Sequence, residues 1–181
     1  MITIETPSYF AYRIDRADVI SFVSPEWVQF ALANEAPQLT EGNVVGKPIW
    51  DFIAGKEVRT LYESLFRNLR SRRGEIAIPF QCDAPSLVRY MTLTLRSLHS
   101  GGIECEGRLD RTEPREAVAI LSRGVARSKD SIPICSLCRR LSVFEEWLEV
   151  RAAIVRKRLF TATALPRLEE TLCPECGCVG G

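Results

Sequence analysis

Residues 75–109, "EIAIPFQCDAPSLVRYMTLTLRSLHSGGIECEGRL", change the hydrophobic period of the chain from about 3.6 to 2. In "EIAIPFQCD" the apolar alternation is Ile76, Ile78, Phe80 and Cys82, and in "RYMTLTLRSLH" it is Met91, Leu93 and Leu95, with Thr92, Thr94 and Arg96 on the other face. "GGIECEGRL" repeats it with Ile103, Cys105 and Leu109 between Glu104, Glu106 and Arg108. Three half-buried strands follow, joined by a loop at "APSL" and a turn at "SGG", as an antiparallel meander. Cys82 and Cys105 both face the core on this reading. The central strand separates them by two strand spacings, about 9.6 Å, too far for a disulfide.

Upstream of Gly74 the pattern is helical. Val58, Leu61, Tyr62, Leu65, Phe66 and Leu69 recur at three- and four-residue spacing across residues 56–72, with charges opposite. "GKPIWDFIAG" is a short turn of structure, and Pro37, Gly42 and Asn43 break the chain before it. Ser24-Pro25 opens a helix, the serine as N-cap and the proline where its missing amide costs nothing, with Trp27, Phe30, Ala31 and Leu32 along it. Residues 9–24 read as two short strands about a turn at "RIDRAD". Strand, strand, helix, short turns, long helix and three strands make an antiparallel sheet with helices on one face, in the α+β class.

At 181 residues with 46% apolar content the chain supports a genuine core and is not disordered. Its 24 basic and 23 acidic residues nearly cancel, and no basic stripe points to nucleic acid or an anionic membrane. The densest basic run, Arg67, Arg70, Arg72 and Arg73, reads as a solvated helix end. The stretch "MITIETPSYFAYRIDRAD" does not read as a signal peptide, and no window approaches the ~20 apolar residues of a membrane span. The expectation is a cytoplasmic protein, where seven cysteines are metal ligands or buried thiols sooner than disulfides.

"VISFVSPEWVQFALAN" (19–34), "VVGKPIWDFI" (44–53), "LYESLFRNLRSR" (61–72) and "IPFQCDAPSLVRYMTLTL" (78–95) resemble the PAS family. The likeness is to a bacterial subgroup in which the core precedes a C-x-x-C, a tryptophan about ten residues later, and a C-P-x-C. Here these are Cys135 and Cys138, Trp147, and Cys173-Pro174-Glu175-Cys176, so the resemblance covers roughly residues 9–177. It implies a sensory or signalling module, whose fold holds a small ligand between sheet and helices or serves as a dimerisation and relay surface. The subgroup often carries a histidine just before the last cysteine pair. "LPRLEETLC" (165–173) has none, so any metal must be held by cysteines alone. The expected organisation is a PAS-like domain over 1–114, a partly helical linker over 115–133 and a metal-binding element over 134–181.

Two C-x-x-C turns complete a tetrahedron of thiolates, which suits structural zinc on Cys135, Cys138, Cys173 and Cys176 and leaves no open position for catalysis. An iron–sulfur cluster accepts the same ligands, and buried thiols or a redox dithiol are the other readings. Residues 139–172 exceed the ~15–20 of a compact zinc ribbon. Ser142 three before Glu145 is a capping box, and Val143, Trp147, Val150 and Ile154 make a stripe, so a helix is expected from Ser142 to about Arg158. "TATALPRLEE" would return the chain, pinning helix and tail behind the PAS sheet. Cys178 stays unligated.

His99 is the only histidine and falls beside the turn Ser100-Gly101-Gly102. No nucleotide-binding, hydrolase or zinc-protease motif occurs, so the chain is not expected to be an enzyme. The candidate ligand pocket is Trp27, Phe30, Trp50, Phe52, Tyr62, Phe66 and Phe80. Neither haem nor flavin is expected, so a ligand would be small and colourless. The chain is expected to form a homodimer near Tyr9, Phe10 and Tyr12 and to pass its signal to a partner protein. The alternatives are a ligand-free interaction adaptor and a thiol redox sensor.

Overall fold

In the computed structural model, which describes residues 7–161 and 164–178, strands β1 (Tyr9–Ile14) and β2 (Ile20–Val23) lead into helix α1 (Pro25–Ala33). Ser24 caps α1 as its sequence demands: its Oγ accepts from Trp27 N–H, and Pro25 takes the first turn. The same Oγ accepts from Ala11 N–H, so the cap also ties α1 to β1. A single turn α2 (Glu41–Val44) and a 3-10 turn (Ile49–Asp51) precede helix α3 (Lys56–Arg72), whose Val58, Leu61, Leu65, Phe66 and Leu69 are buried. Of the basic run at its end, Arg70 is recruited to the structure. It donates to Asp18 Oδ1 at 2.6 Å and to the carbonyls of Asp15 and Gly101, binding α3 to two turns of the sheet.

Strands β3 (Glu75–Gln81), β4 (Leu87–Ser97) and β5 (Ile103–Pro114) form the expected meander, and the five strands make an antiparallel sheet of order β2-β1-β5-β4-β3. The inner face and the helices share one apolar cluster that includes Ile14, Leu65, Phe66, Ile78, Leu95, Ile103 and Cys105. The outer face is an ion-pair lattice, with Arg96 between Glu75 and Glu104 and Arg13 also on Glu104. This is the PAS-like α+β arrangement. Phe10 and Tyr12 turn inward, Phe10 stacking on Phe30 at 4.6 Å. Of the aromatic segment expected at a dimer contact, only Tyr9 is exposed.

A second layer follows a 3-10 turn at Ala119–Leu121: β6 (Arg127–Cys135), β7 (Leu141–Val143), β8 (Glu146–Leu148), helix α4 (Val150–Arg156), a 3-10 turn (Leu159–Thr161), β9 (Leu165–Thr171) and the single turn α5 (Pro174–Gly177). The stretch 115–133, read as a linker, thus holds most of β6. Residues 1–6, 162–163 and 179–181 of the expected segments lie outside the described residues. The sheet order is β8-β7-β6-β9, with β6 and β9 parallel. Its own core is Ile120, Ile132, Ile134, Leu141, Val143, Val150, Ala153 and Ile154.

The helix expected from Ser142 to about Arg158 is not formed. Its first half is the β7–β8 hairpin and only Val150–Arg156 is helical. Phe144 and Glu145 make the two-residue turn with φ of 52° and 67°, which needs the left-handed backbone at both central positions. The capping-box spacing of Ser142 and Glu145 is therefore incidental. Replacing Phe144-Glu145 by Asn-Gly suits that turn, and both side chains are exposed. The double variant is expected to gain about 1 kcal/mol in urea denaturation.

Candidate metal centre and adjoining cavities

The parallel pairing of β6 with β9 explains why the two cysteine pairs meet. Both strands end on the same side, with Cys135 opposite Thr171 in register, so each runs directly into its C-x-x-C turn. The thiols of Cys135, Cys138, Cys173 and Cys176 lie within 4.8 Å of one another, and Cys138 Sγ is 3.7 Å from Cys173 Sγ. A tetrahedral Zn–S₄ centre with bonds of about 2.3 Å has edges of about 3.8 Å, so the donor set fits zinc. Cys135 and Cys173 are buried and the other two half-buried, and all seven cysteines are free thiols.

The electrostatics favour a cation here. Burial pushes the Cys135 thiol up, but the N–H groups of Cys138, Cys173 and Leu137 outweigh it and hold the thiol below its ordinary value. Burial raises Cys138 to about 12 and raises Cys176 as well, with the neighbouring cysteines adding to both. Without a cation the cluster keeps protons that a metal would displace. Around it, Arg139 pairs with Glu170 at 3.0 Å, and Ser136 Oγ donates to the same carboxylate.

The centre does not sit behind the sheet, as expected, but on its helical face. Cys135, Leu137 and Cys173 belong to the apolar cluster of Leu61, Leu65 and Phe66, and Gln81 at the end of β3 donates its N–H to Leu137 O at 2.7 Å. Trp147, on β8, packs against this same cluster. The first C-x-x-C turn therefore walls a cavity of about 230 Å³ that reaches the sheet interior, between Ser136 and Leu137 on one side and Tyr12, Tyr62, Ile78 and Phe80 on the other.

Of the seven pocket candidates, Tyr62 and Phe80 line this cavity. Phe66 is fully buried and packs on Trp50, whose indole donates to Asp18; Phe30 stacks on Phe10; Trp27 packs against the core; Phe52 is exposed. His99 lies in an exposed turn. Cys178 is exposed outside the cluster. Cys105 is buried as expected, and burial pushes its thiol up to about 12, Tyr12 offsetting part of this by hydrogen bonding. Cys82 is a correction. It lies just past the end of β3, half-buried, with its Sγ 3.6 Å from Asn34 Oδ1 and facing a polar cleft.

These placements predict an alkylation order. At pH 8 a thiol with a pKa of about 12 is only about 10⁻⁴ thiolate, and the thiolate is the nucleophile. Iodoacetamide is expected to modify Cys178 first and Cys105 only after unfolding, read by peptide mass spectrometry.

The sequence gives little sign of this polar cleft. It measures about 340 Å³ and lies between the second layer and the end of α1 with the β3–β4 loop of the first, lined by Asn34, Cys82, Asp83, Arg123, Arg139 and Glu170 among others. Behind it Arg89 is 4% exposed and donates to Asn34 Oδ1 at 2.7 Å. Arg89 shares the strand parity of Met91, Leu93 and Leu95, so a charge in an inward position was the available signal.

No known family matches the chain, and no curated protein matches it in sequence. Among solved structures it is similar to the photoactive yellow protein domain of the sensor histidine kinase Ppr from Rhodospirillum centenum, at 10% identity and a TM-score of 0.44 over 58% of this chain and 94% of that one. The PAS domain of the Cronobacter turicensis quorum-sensing receptor RpfR, solved with C12:0, shares 14% identity at a TM-score of 0.42 over 60% and 100%. A sensory box histidine kinase from Vibrio cholerae shares 11% at 0.41, over 57% and 82%. Likeness at this level assigns no activity, ligand or partner.

Proposed function

We propose that this chain is a non-enzymatic PAS-type sensory and signal-transduction module of the bacterial cytoplasm. In it a structural zinc ion on Cys135, Cys138, Cys173 and Cys176 holds the second layer to the sensing core, and the signal passes to a partner protein. The observation that carries the reading is that Ser136 and Leu137, inside the first cysteine turn, wall the apolar cavity between sheet and α3. Metal site and cavity are one unit, so a change in the cavity reaches the second layer through two residues and the Gln81–Leu137 hydrogen bond. The ligand would be small and colourless, held by apolar contacts and one or two polar groups. Haem and flavin are not part of the proposal, the single histidine being in an exposed turn.

Mass spectrometry of the freshly purified protein under non-denaturing conditions tests this reading. One zinc per chain and a dimeric mass are expected, with no absorption band between about 400 and 460 nm. Iron with visible absorption, or no metal at all, overturns the zinc assignment. A ligand-free adaptor is the second reading, favoured by Phe144, Val155 and Phe160 of the second layer, which are 70%, 56% and 72% exposed. A bound small molecule retained at the cavity decides against it.

A further inference from the structure

Phe144 is 70% exposed at the tip of the β7–β8 turn, in the left-handed backbone that a bulky residue seldom adopts. It belongs to neither apolar cluster, so the strained ring buries little within its own chain. Strain of this kind gathers at functional positions. Beside the tip, Glu146 bridges to Arg156 at 3.8 Å, which brings the C-terminal end of α4 alongside. At that end Ile154 lines a groove of about 160 Å³, whose other walls include Val118, Ala119, Leu159, Phe160 and Leu165, every lining residue being apolar. A cavity of about 150 Å³ with such a lining takes one benzene ring. A free ring and a ring-sized groove thus share one end of the second layer. Their charges are opposite as well. Glu145 follows the ring, Lys157 and Arg158 precede the groove walls Leu159 and Phe160, and none of the three has an ion-pair partner among the described residues.

We infer that the groove receives Phe144 of a second copy of this chain, reciprocally, two rings in two grooves about a two-fold axis. Each copy carries both halves of the contact, which a surface for an unrelated protein has no need of. Glu145 of each copy then approaches Lys157 and Arg158 of the other, a pairing of opposite charges at the rim. This rests on the dimer expected under the proposed function and says where it forms: on the second layer, and not at Tyr9, Phe10 and Tyr12.

Sedimentation velocity of the full chain with its metal, from micromolar to hundreds of micromolar, is expected to show a monomer–dimer equilibrium. Phe144→Ala is expected to weaken the dimer about 100-fold, a truncated anchor ring costing roughly tenfold and the two-fold axis counting it twice. Ala119→Phe, an exposed position of the groove lining, fills the groove and is expected to do the same. Mixed together, the two variants are expected to regain association, because the intact ring of one meets the intact groove of the other. A folding defect in either is not repaired by mixing. The Asn-Gly replacement of Phe144-Glu145 is expected to keep its gain in stability only at dilutions where the chain is monomeric. A chain monomeric throughout, a dimer indifferent to both single changes, no recovery on mixing, or assemblies that grow beyond two each overturn the inference. Elemental analysis of the same samples reads the zinc independently, so the metal site and the dimer contact can fail separately.

Discussion

Cys135→Ser and Cys173→Ser proteins are expected to lose the metal and to unfold in a single transition at far lower temperature, both layers together. Cys135, Cys173 and Leu137 are buried in the same cluster as Leu61, Leu65 and Phe66, so releasing the cysteine turn uncovers the interior of the first layer. Structural zinc is worth on the order of 10 kcal/mol in small modules, comparable to the whole stability of a domain. Elemental analysis and calorimetry check the outcome, with Cys178→Ser as a control that keeps metal and stability. A chelated wild-type protein should bind a dye for apolar surface as the cavity opens. Metal loss with an unchanged transition in the first layer would mean that the two layers are energetically separate.

The second large effect is expected at Gly55. It has φ of 85°, and a Cβ there would lie 2.3 Å from the carbonyl oxygen of Glu170 and 3.0 Å from its carbon. The start of α3 and the C-terminal end of β9 thus touch backbone to backbone, a contact only glycine permits. Gly55→Ala is expected to cost about 3 kcal/mol, because backbone atoms cannot yield as a side chain would. Gly46 has the same φ of 85° with nothing within 4 Å, so Gly46→Ala carries the conformational term alone, about 1 kcal/mol. Urea denaturation of the pair isolates the contact between layers. The shift of Glu170 should also disturb its bonds to Ser136 and Arg139, and with them the cavity wall.

How far such features were legible depends on which physical rule wrote them into the sequence. The β3–β5 meander and α3 were readable because each buries one face against one core, and the apolar period then reports the backbone directly. The four cysteines were readable because ligand chemistry restricts residue type and local spacing. The β7–β8 hairpin was not. Val143, Val150 and Ile154 do share one core, at spacings that mimic a helix, but they reach it from a strand and a short helix. The turn uses Phe144-Glu145 where Asn-Gly would have announced it. Strand β6 was hidden for another reason: its first half is polar and Pro133 interrupts it, while its pairing with β9 joins residues far apart in sequence. The polar cleft draws Asn34, Asp83, Arg123 and Arg139 from four separate segments, and only the inward parity of Arg89 behind it hinted at it.

The parallel pairing of β6 and β9 also sets an order of events during synthesis. All five strands of the first sheet have been made once Pro114 has been added, yet the cavity wall at Ser136 and Leu137 is tied down only when β9 arrives, Ser136 donating its N–H to Thr171 O at 2.9 Å. Until that strand emerges from the ribosome, Phe80, Tyr62 and Tyr12 face water on the side the cysteine turn will occupy. The nascent chain therefore carries an open apolar mouth through the synthesis of the second layer, a window in which, with zinc bound as proposed, a holding chaperone and metal supply would act on the same surface. Zinc scarcity would then be felt first as aggregation of new chains, before any mature protein loses its ion.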